Sequence, residues 1–302
     1  MYIPEFTCVG ICILNYNNGL KTVKCIESIL NQTFREYRII VIDNNSNDDS
    51  LSIITSFLKT NKLSSLSVKN NSIQEALKEN FPPVVLIESD VNGGYSYGNN
   101  LGINLAKFAG IFTNLLIINN DLVLQPGFLA EITNKYNTLR KELNSGKIAL
   151  GATELNQNGK VTHRGFHYLN IPTGLCLNFP LFPSFRYIVG SCIFTNIDAP
   201  LMDESFFLYY DDTQYSKILL KNHYSLDASV NAMYFHEVGA TTKKDPVVYK
   251  IVYQSTKRFY RLNYPLFLVP AILIRMPVNY LRTKIAYTLK NLFFVDSLGH
   301  EQ

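Results

Sequence analysis

Several features that define common protein classes are missing from this sequence. Its longest late apolar run, residues 265–274, is about half as long as a bilayer-spanning helix must be. The N-terminus carries Glu5 where a secretion signal would carry positive charge, so we expect no signal peptide. The net charge of +4 is too small to indicate nucleic-acid binding. What remains is a globular protein with no transmembrane helix, which we place in the cytoplasm.

Cysteine is also scarce. The five copies form no CxxC pair and have no histidine at metal-site spacing, and an odd number cannot pair completely. We therefore predict buried free thiols in a reducing compartment. These cysteines are Cys8, Cys12, Cys25, Cys176 and Cys192.

Two common phosphate-binding motifs are absent as well. The stretch "VNGGYSYGNNLG" (91–102) is rich in glycine but matches neither GxGxxG nor GxxxxGK[ST]. A dehydrogenase or P-loop interpretation therefore lacks its defining spacing. The glycines would still allow a ligand or another backbone segment to approach closely.

What the sequence does contain is a regular alternation of strands and helices. Buried strands are predicted at 8–14, 37–43, 83–89 and 114–120, with helices at 20–30, 50–59 and 97–110 between them. Continuous apolar strands separated by helices indicate an α/β fold with a mostly parallel sheet covered on both faces. The second half is less regular, with a strand at 187–196, a helix at 211–222 and a strand before His236.

Three of the predicted strands end in carboxylates, namely Asp43, Asp90 and Asp121. In open α/β sheets, ligands bind beyond the carboxyl ends of the strands, so we expect all three in one crevice. Asp43 opens a dense polar cluster, "DNNSNDDS". Turn and helix-cap roles are favoured for residues 45–48. A turn can also form the wall of a ligand site.

Asp121 follows Asn119 and Asn120, and such oxygens are hard ligands suited to Mg²⁺ or Mn²⁺. His236 could add a nitrogen ligand, although a lone histidine is more often structural. Asp211 and Asp212 begin a predicted helix behind aromatic residues. They could cap that helix, or one of them could act as a general base.

Several segments, taken in order, resemble the inverting family 2 glycosyltransferases, and most closely the rhamnosyl- and galactofuranosyltransferase branch of bacterial surface-polysaccharide synthesis. The resemblance spans roughly residues 8–242. It is carried by "ICILNYNN", "IIVIDNNSND", "SDVNGGYSYGNNLGINLA", "LLIINNDL", "YIVGSCIF", "SFFLYYDDTQYSKIL" and "HEVGATT". It implies the type A nucleotide-diphospho-sugar transferase fold, which is Rossmann-like, here with a C-terminal helical extension.

The resemblance also implies roles for individual residues. Asp212 matches the catalytic base with Asp211 as its neighbour, and Asp121 and His236 match the site of a divalent metal, Mg²⁺ or Mn²⁺. The Asp121 motif reads "NND", without the first acid of the family's DXD pattern, and Gln214 and Ile218 replace an Asp and an Arg of many relatives. The residues expected to bind the donor are Asn15, Asp43, Asn44, Asn92, Gly93, Asn100, Asn120, Gly190 and Ser191.

The implied function is transfer of a sugar from a UDP- or dTDP-sugar to a hydroxyl of a glycan or lipid-linked glycan, at the inner face of the cell membrane. We predict a catalytic domain over 1–242, with a nucleotide-binding half to about 125 and an acceptor half after it. Residues 243–302 form a basic, aromatic extension that either contacts anionic lipid or packs on protein. Two alternatives remain: a sugar nucleotidyltransferase and a non-catalytic nucleotide-sugar-binding subunit. No oligomeric state is predicted.

Overall fold

The structure, a computed structural model, describes residues 8–69, 81–237 and 246–265. Strands and helices alternate through most of these residues. In chain order they are β1 (Val9–Asn15), α1 (Gly19–Leu30), β2 (Tyr37–Asp43), α2 (Ser50–Thr60), β3 (Ser65–Lys69), β4 (Val84–Glu88), α3 (Gly94–Ala109), β5 (Asn114–Asn119), β6 (Leu122–Leu124), α4 (Phe128–Glu142), β7 (Ile148–Leu155), β8 (Val161–Arg164), β9 (Phe166–Asn170), β10 (Leu175–Leu177), β11 (Ser184–Ile188), β12 (Cys192–Asn196), α5 (Asp211–Lys221), β13 (Ser225–His236) and α6 (Pro246–Asn263).

The main sheet of the described chain has ten strands. Its order is β3-β4-β2-β1-β5-β12-β7-β13-β6, with β8 paired to β7. The first five strands in this order run parallel to their neighbours. β12 is antiparallel to both β5 and β7. The chain moves outward from β1 to β2 and returns to β1's other side as β5, so a topological switch point lies at the carboxyl end of β1.

The sheet separates two apolar cores because successive side chains of a strand point to opposite faces. Ile11 and Ile13 belong to the core beneath α1, α2 and α4, whereas Cys12 belongs to the core beneath α3 and α5. Both faces are therefore covered, as the continuous apolar strands predicted.

Most predicted elements agree with the structure. β2 occupies the predicted residues 37–43, and α3 ends before Gly110, whose φ of 66° is the left-handed conformation typical of a helix C-terminus. The predicted strand at 187–196 was wrong as a single element, because the chain breaks at 189–191 between β11 and β12. β3 and α4 were not predicted. β3 is an edge strand that buries only Val68, so it lacks an apolar pattern.

A smaller three-stranded sheet, β10-β9-β11, joins the main body to α6. Phe259 and Tyr260 of α6 are buried in a third apolar cluster with Leu169 of β9. The Tyr260 hydroxyl donates a hydrogen bond of 2.7 Å to the carbonyl of Ile171. This part of the extension therefore packs on protein, and the predicted remainder, 266–302, lies outside the described residues. No described helix is long and apolar enough to cross a membrane.

The five cysteines are all free thiols, as predicted. The prediction that all are buried was wrong, because Cys176 is exposed and Cys8 is partly exposed. β10 is a short strand of the small sheet, and its side chains are not covered by a second layer as those of the main sheet are.

Candidate active site

The polar residues after β2 form hydrogen bonds with one another at the topological switch point. One oxygen of Asp43, Oδ1, accepts hydrogen bonds from Asn15 Nδ2 and from Ser46 Oγ, each 2.6 Å long. The other, Oδ2, accepts the Ser46 backbone N–H at 2.9 Å. Asp43 is 1% exposed, so its carboxylate holds the turn that follows β2. The predicted turn role of this segment is confirmed at Ser46.

Asn15 connects this turn to β5. Its Oδ1 accepts hydrogen bonds from Thr22 Oγ1 at 2.7 Å and from Asn120 Nδ2 at 3.0 Å. Residues from β1, α1 and the end of β5 thus meet in one network, as expected from their position at the carboxyl ends of parallel strands. Asp90 follows β4 and is exposed.

Asn44 joins the turn to the start of α3. Its Nδ2 donates to Asn92 Oδ1 at 3.0 Å and to the carbonyl of Gly94 at 3.1 Å. Its Oδ1 is buried and has no hydrogen-bond partner among the described residues. A buried acceptor without a partner is costly, and Asn44 is 3% exposed, so its amide stabilises the contact between the turn and α3 rather than opening to a ligand.

Two other predicted donor residues occupy different surroundings. Gly93 precedes α3, and a side chain there would collide with the ring of Tyr97. Asn100 is 1% exposed and uses its amide on Met202 and Glu204, with a bond of 3.0 Å from Nδ2 to the Met202 carbonyl. Asn100 therefore positions the segment before α5 rather than opening into the crevice.

Asp121 and His236 come together, as the sequence predicted. Asp121 follows β5, His236 ends β13, and Asp121 Oδ1 lies 3.2 Å from His236 Nε2. The other ring nitrogen, Nδ1, lies 2.7 Å from Oε2 of Glu154 on β7. Lys21 of α1 is more distant, with Nζ 4.0 Å from Asp121 Oδ2.

The protonation of this cluster follows from its contacts. Burial alone would lower the pKa of His236, but the nearby carboxylates of Asp121 and Glu154 outweigh burial and raise that pKa to about 9. Burial would raise the pKa of Glu154, but the hydrogen bonds from His163 and His236 bring it well below its usual range.

The Asp121–His236 pair suits a divalent cation in both chemistry and spacing. Asp121 Oδ1 is buried and makes no hydrogen bond of good geometry among the described residues, despite its closeness to His236 Nε2. Two ligands at right angles around Mg²⁺ or Mn²⁺ lie about 3 Å apart, which matches the 3.2 Å separation. Among the described residues, no group of three or more acidic, His or Cys side chains is arranged to hold a metal ion by itself. The pair fits a cation whose remaining ligands are substrate oxygens and water.

Next to His236 is a cavity of about 530 Å³. It is bordered by Gly190 and Ser191, by the β9–β10 turn and by α6, and its lining is rich in tyrosine. The tyrosines are Tyr95, Tyr187, Tyr209 and Tyr210. Such a cavity can hold a sugar-sized group with apolar ring faces and scattered hydroxyls.

Asp211 and Asp212 lie in this cavity's wall, at the start of α5. Asp212 Oδ2 accepts the Gly190 backbone N–H at 3.1 Å, and Oδ1 accepts the Thr213 N–H at 2.6 Å. Burial, and then the charge of Asp212, raises the pKa of Asp211. Burial also raises the pKa of Asp212, although the N–H groups of Gly190 and Thr213 oppose it. The pair can therefore hold a proton near neutral pH.

The backbone before this pair is strained. Tyr209 and Tyr210 both have positive φ, 65° and 61°, which costs of order 1–3 kcal/mol for each non-glycine residue. A contact with α3 helps to maintain this backbone conformation: the Tyr95 N–H donates a hydrogen bond of 2.7 Å to the Phe207 carbonyl. Gly94 permits this approach, because a Cβ there would lie 2.2 Å from the Phe207 oxygen.

Sequence reasoning missed Glu154, Thr22 and Tyr95. Glu154 sits in "GATEL", where a carboxylate at a strand end was a usable signal of the kind that identified Asp121. Tyr95 donates its hydroxyl to the Gly190 carbonyl at 2.5 Å and so ties α3 to the segment that contacts Asp212. Nothing in the sequence pairs residues 95 and 190.

Comparison with known proteins identifies a family. The profile of glycosyl transferase family 2 matches residues 10–198. Glycosyltransferase GlyG of Streptococcus pneumoniae serotype 4 is 28% identical over 99 residues, which are 33% of this chain and 26% of that protein. An uncharacterised protein of Mycobacterium tuberculosis is 38% identical over 56 residues, 18% of each chain. The matches thus span about a quarter or less of these relatives.

Solved structures show the same fold. GalNAc-T7 with UDP, GalNAc and Mn²⁺ matches 85% of this chain and 48% of its own, with a TM-score of 0.58 and 13% identity. The match to the mannosyltransferase PcManGT of Pyrobaculum calidifontis, with GDP-Man and Mn²⁺, covers 99% of this chain and 77% of that chain, with a TM-score of 0.53 and 11% identity. The match to TarS of S. aureus with UDP-GlcNAc covers 92% of this chain and 81% of that chain, with a TM-score of 0.51 and 13% identity.

Proposed function

This chain belongs to glycosyl transferase family 2, and on that premise we propose that it transfers a sugar, with inversion, from a nucleotide-diphosphate sugar to an acceptor hydroxyl. One observation carries the proposal. A carboxylate pair with raised pKa values lies in the wall of a sugar-sized cavity, and His236 of the Asp121–His236 pair lines the same cavity. A base and a diphosphate site that face one space are what sugar transfer requires.

The donor nucleotide is assigned to the switch point, with a UDP- or dTDP-sugar as the expected donor. Asp43 fixes the turn after β2, and Asn15 and Asn120 link that turn to β5. Asn44 supports the nucleotide side of the crevice from beneath, and its amide is hydrogen-bonded to Asn92. Gly93, Gly190 and Ser191 shape the walls, and Asn100 acts only indirectly, by positioning the segment before α5.

The metal is assigned to Asp121 and His236. A divalent cation held there would offset the negative charge of the diphosphate leaving group. UDP and GDP-Man accompany Mn²⁺ in two of the solved structures of this fold, which supports a metal of this kind.

Asp212 is the proposed base. Its Oδ2 is positioned by the Gly190 N–H, and the carboxylate is partly exposed to the cavity. It takes the proton from the acceptor hydroxyl, whose oxygen forms a bond to the anomeric carbon as the bond to the diphosphate breaks. Asp211 is buried beside it, and burial raises the pKa of both carboxyl groups, which favours proton uptake near neutral pH.

For the acceptor we propose a hydroxyl of a lipid-linked surface glycan, handled at the inner face of the bacterial membrane. Support comes from the motifs shared with the rhamnosyl- and galactofuranosyltransferase branch and from the basic composition after residue 243. Val252 and Thr256 of α6 line the cavity, so the extension contributes to the acceptor side of a catalytic domain over 1–242.

A non-catalytic sugar-binding subunit is the second candidate, and one observation favours it. Asp212 already accepts three hydrogen bonds, from the Gly190 N–H and from the N–H and hydroxyl of Thr213, which reduces its basicity. Family membership favours transfer over the nucleotidyltransferase alternative.

Calorimetry tests the proposal. Nucleoside diphosphates and their sugars are titrated with and without Mn²⁺ into wild type, Asp121→Ala and Asp227→Ala, a surface control. We expect Mn²⁺-dependent binding that only Asp121→Ala loses. No binding by folded wild type would refute the donor site. Binding without release of nucleoside diphosphate, with or without added glycans, would identify the non-catalytic subunit.

A further inference from the structure

Behind His236 lies a second histidine that the proposed chemistry does not use. His163 of β8 is 3% exposed in its side chain, and its Nε2 lies 3.2 Å from Glu154 Oε2. His236 Nδ1 lies 2.7 Å from that same oxygen. One oxygen of the Glu154 carboxylate is therefore within hydrogen-bond distance of both imidazole rings. The two histidines lie on β8 and β13, the strands on either side of β7.

The proton positions follow from the partners. The Gly165 backbone N–H donates to His163 Nδ1 at 3.1 Å, so that nitrogen carries no proton, and Nε2–H donates to Glu154. Glu154 is a carboxylate and can only accept, so His236 must also donate to it, from Nδ1. Thr162 Oγ1 donates to the other oxygen, Oε1, at 2.7 Å.

These hydrogen bonds determine the protonation of the other ring nitrogen of His236, Nε2. With the Nδ1 proton committed to Glu154, a neutral His236 presents a lone pair at Nε2 towards Asp121 Oδ1, 3.2 Å away. Two acceptors this close need a cation between them, which is either a proton or a metal ion. The backbone N–H of Gly165, just after β8, thus determines through His163 and Glu154 which nitrogen of a neutral His236 carries the proton.

The sheet builds this arrangement by register. β8 places His163 opposite Glu154, and β13 places Tyr234 opposite Glu154 on the other side, with His236 two residues further along the same face. Three strands contribute one side chain each, so the geometry is fixed by rigid elements rather than by a loop.

We propose that Glu154 and His163 are positioning residues that fix the tautomer and orientation of His236 for metal binding. This inference rests on the proposed metal site at Asp121 and His236. Outer partners of metal-bound histidines typically change metal affinity about 10- to 100-fold when mutated.

The test measures Mn²⁺ affinity by the EPR signal of free Mn²⁺, with Mn²⁺ alone and with Mn²⁺ plus UDP. The variants are Glu154→Gln, His163→Leu and His163→Gln, in which Gln keeps an N–H that can donate to Glu154. Glu237→Gln removes a carboxylate that is adjacent in sequence to His236 and forms ion pairs with Lys21 and Lys24. Thermal unfolding confirms that each variant is folded.

We expect about 10- to 100-fold weaker Mn²⁺ binding for Glu154→Gln and His163→Leu, partial recovery in His163→Gln, and under about 3-fold change for Glu237→Gln. In ¹⁵N NMR spectra of metal-free protein, recorded at a pH at which the spectra show His236 to be neutral, wild type should show the Nδ1–H tautomer of His236 and Glu154→Gln a mixture.

Each outcome separates this inference from the proposed function. If wild type binds Mn²⁺ and Asp121→Ala does not, but Glu154→Gln and His163→Leu bind as wild type does, the positioning role is wrong and the metal site stands. If wild type binds no Mn²⁺ with UDP, both are wrong. An unchanged tautomer in Glu154→Gln also overturns the positioning role.

Discussion

Substitution of Gly94 by alanine gives a sharp test of how the active-site wall is held. Gly94 has φ of +85°, and an added Cβ would lie 2.2 Å from the Phe207 oxygen and 2.7 Å from its Cα. The left-handed conformation costs an alanine about 1–2 kcal/mol. The collision is with backbone, so the segments must separate by roughly 1 Å, at an overpacking cost of about 1–3 kcal/mol. We expect a total loss of about 2–5 kcal/mol in the free energy of unfolding.

Gly110 offers a matched control at the other end of the same helix. Its φ is +66°, but nothing lies within 4 Å of an added Cβ. Gly110→Ala should therefore show only the conformational cost of about 1–2 kcal/mol. The difference between the two variants in urea unfolding isolates the contact between α3 and Phe207.

The same displacement should reach the chemistry. Phe207 lies just before the strained tyrosines and Asp211, so a shift of roughly 1 Å misplaces Asp212 and should lower donor turnover about 100-fold. Gly110→Ala should keep the wild-type rate. If Gly94→Ala is no less stable than Gly110→Ala and turns over donor at the wild-type rate, the close approach does not hold the site and the reasoning fails.

The remaining predictions concern carboxylates. Asp212→Asn should lower transfer about 10²- to 10⁴-fold while nucleotide binding by calorimetry stays unchanged, and a wild-type rate would exclude Asp212 as the base. Because both pKa values in the pair are raised, wild-type transfer should increase with pH as the base loses its proton, and a flat profile from acidic to neutral pH would contradict this. The folded state then binds more protons than the unfolded state, so stability falls as pH rises between the ordinary and the raised pKa. Asp211→Asn should remove most of that fall, and urea unfolding at pH 4 and pH 8 checks it. Asp43→Asn should weaken nucleotide binding, measured by calorimetry, and should lower the free energy of unfolding by about 1.5–3 kcal/mol for each disrupted hydrogen bond to the carboxylate. Asp49 is exposed in the same loop, so Asp49→Asn should change neither free energy by more than about 0.5 kcal/mol.

The sequence alone was sufficient for most strands and helices of the first half of the fold. Apolar runs such as 37–43 are buried on both faces and therefore continuous, and Gly110 marks the end of α3 by its conformation. Elements with weaker local signals were missed. β3 buries a single residue, and the break between β11 and β12 occurs at 189–191, where the apolar residues continue on both sides.

The residue types of the site were also readable, because carboxylates and amides that follow parallel strands lie at the edge of the sheet where ligands bind. Asp43, Asp121, Asp211, Asp212 and His236 were all selected from the sequence, and the structure brings Asp121 to within 3.2 Å of His236. No local pattern indicated that the Asn100 amide would be hydrogen-bonded to Met202 and Glu204.

Local sequence thus determined which segments are strands and helices and which of them end in polar side chains, because burial on a sheet and helix termination depend on neighbouring residues. Only the tertiary structure decided which polar groups share a bond. Glu154, His163 and His236 are brought together through the register of β8, β7 and β13. Register is set by the packing of whole strands on the two cores, and that is a property of no single segment.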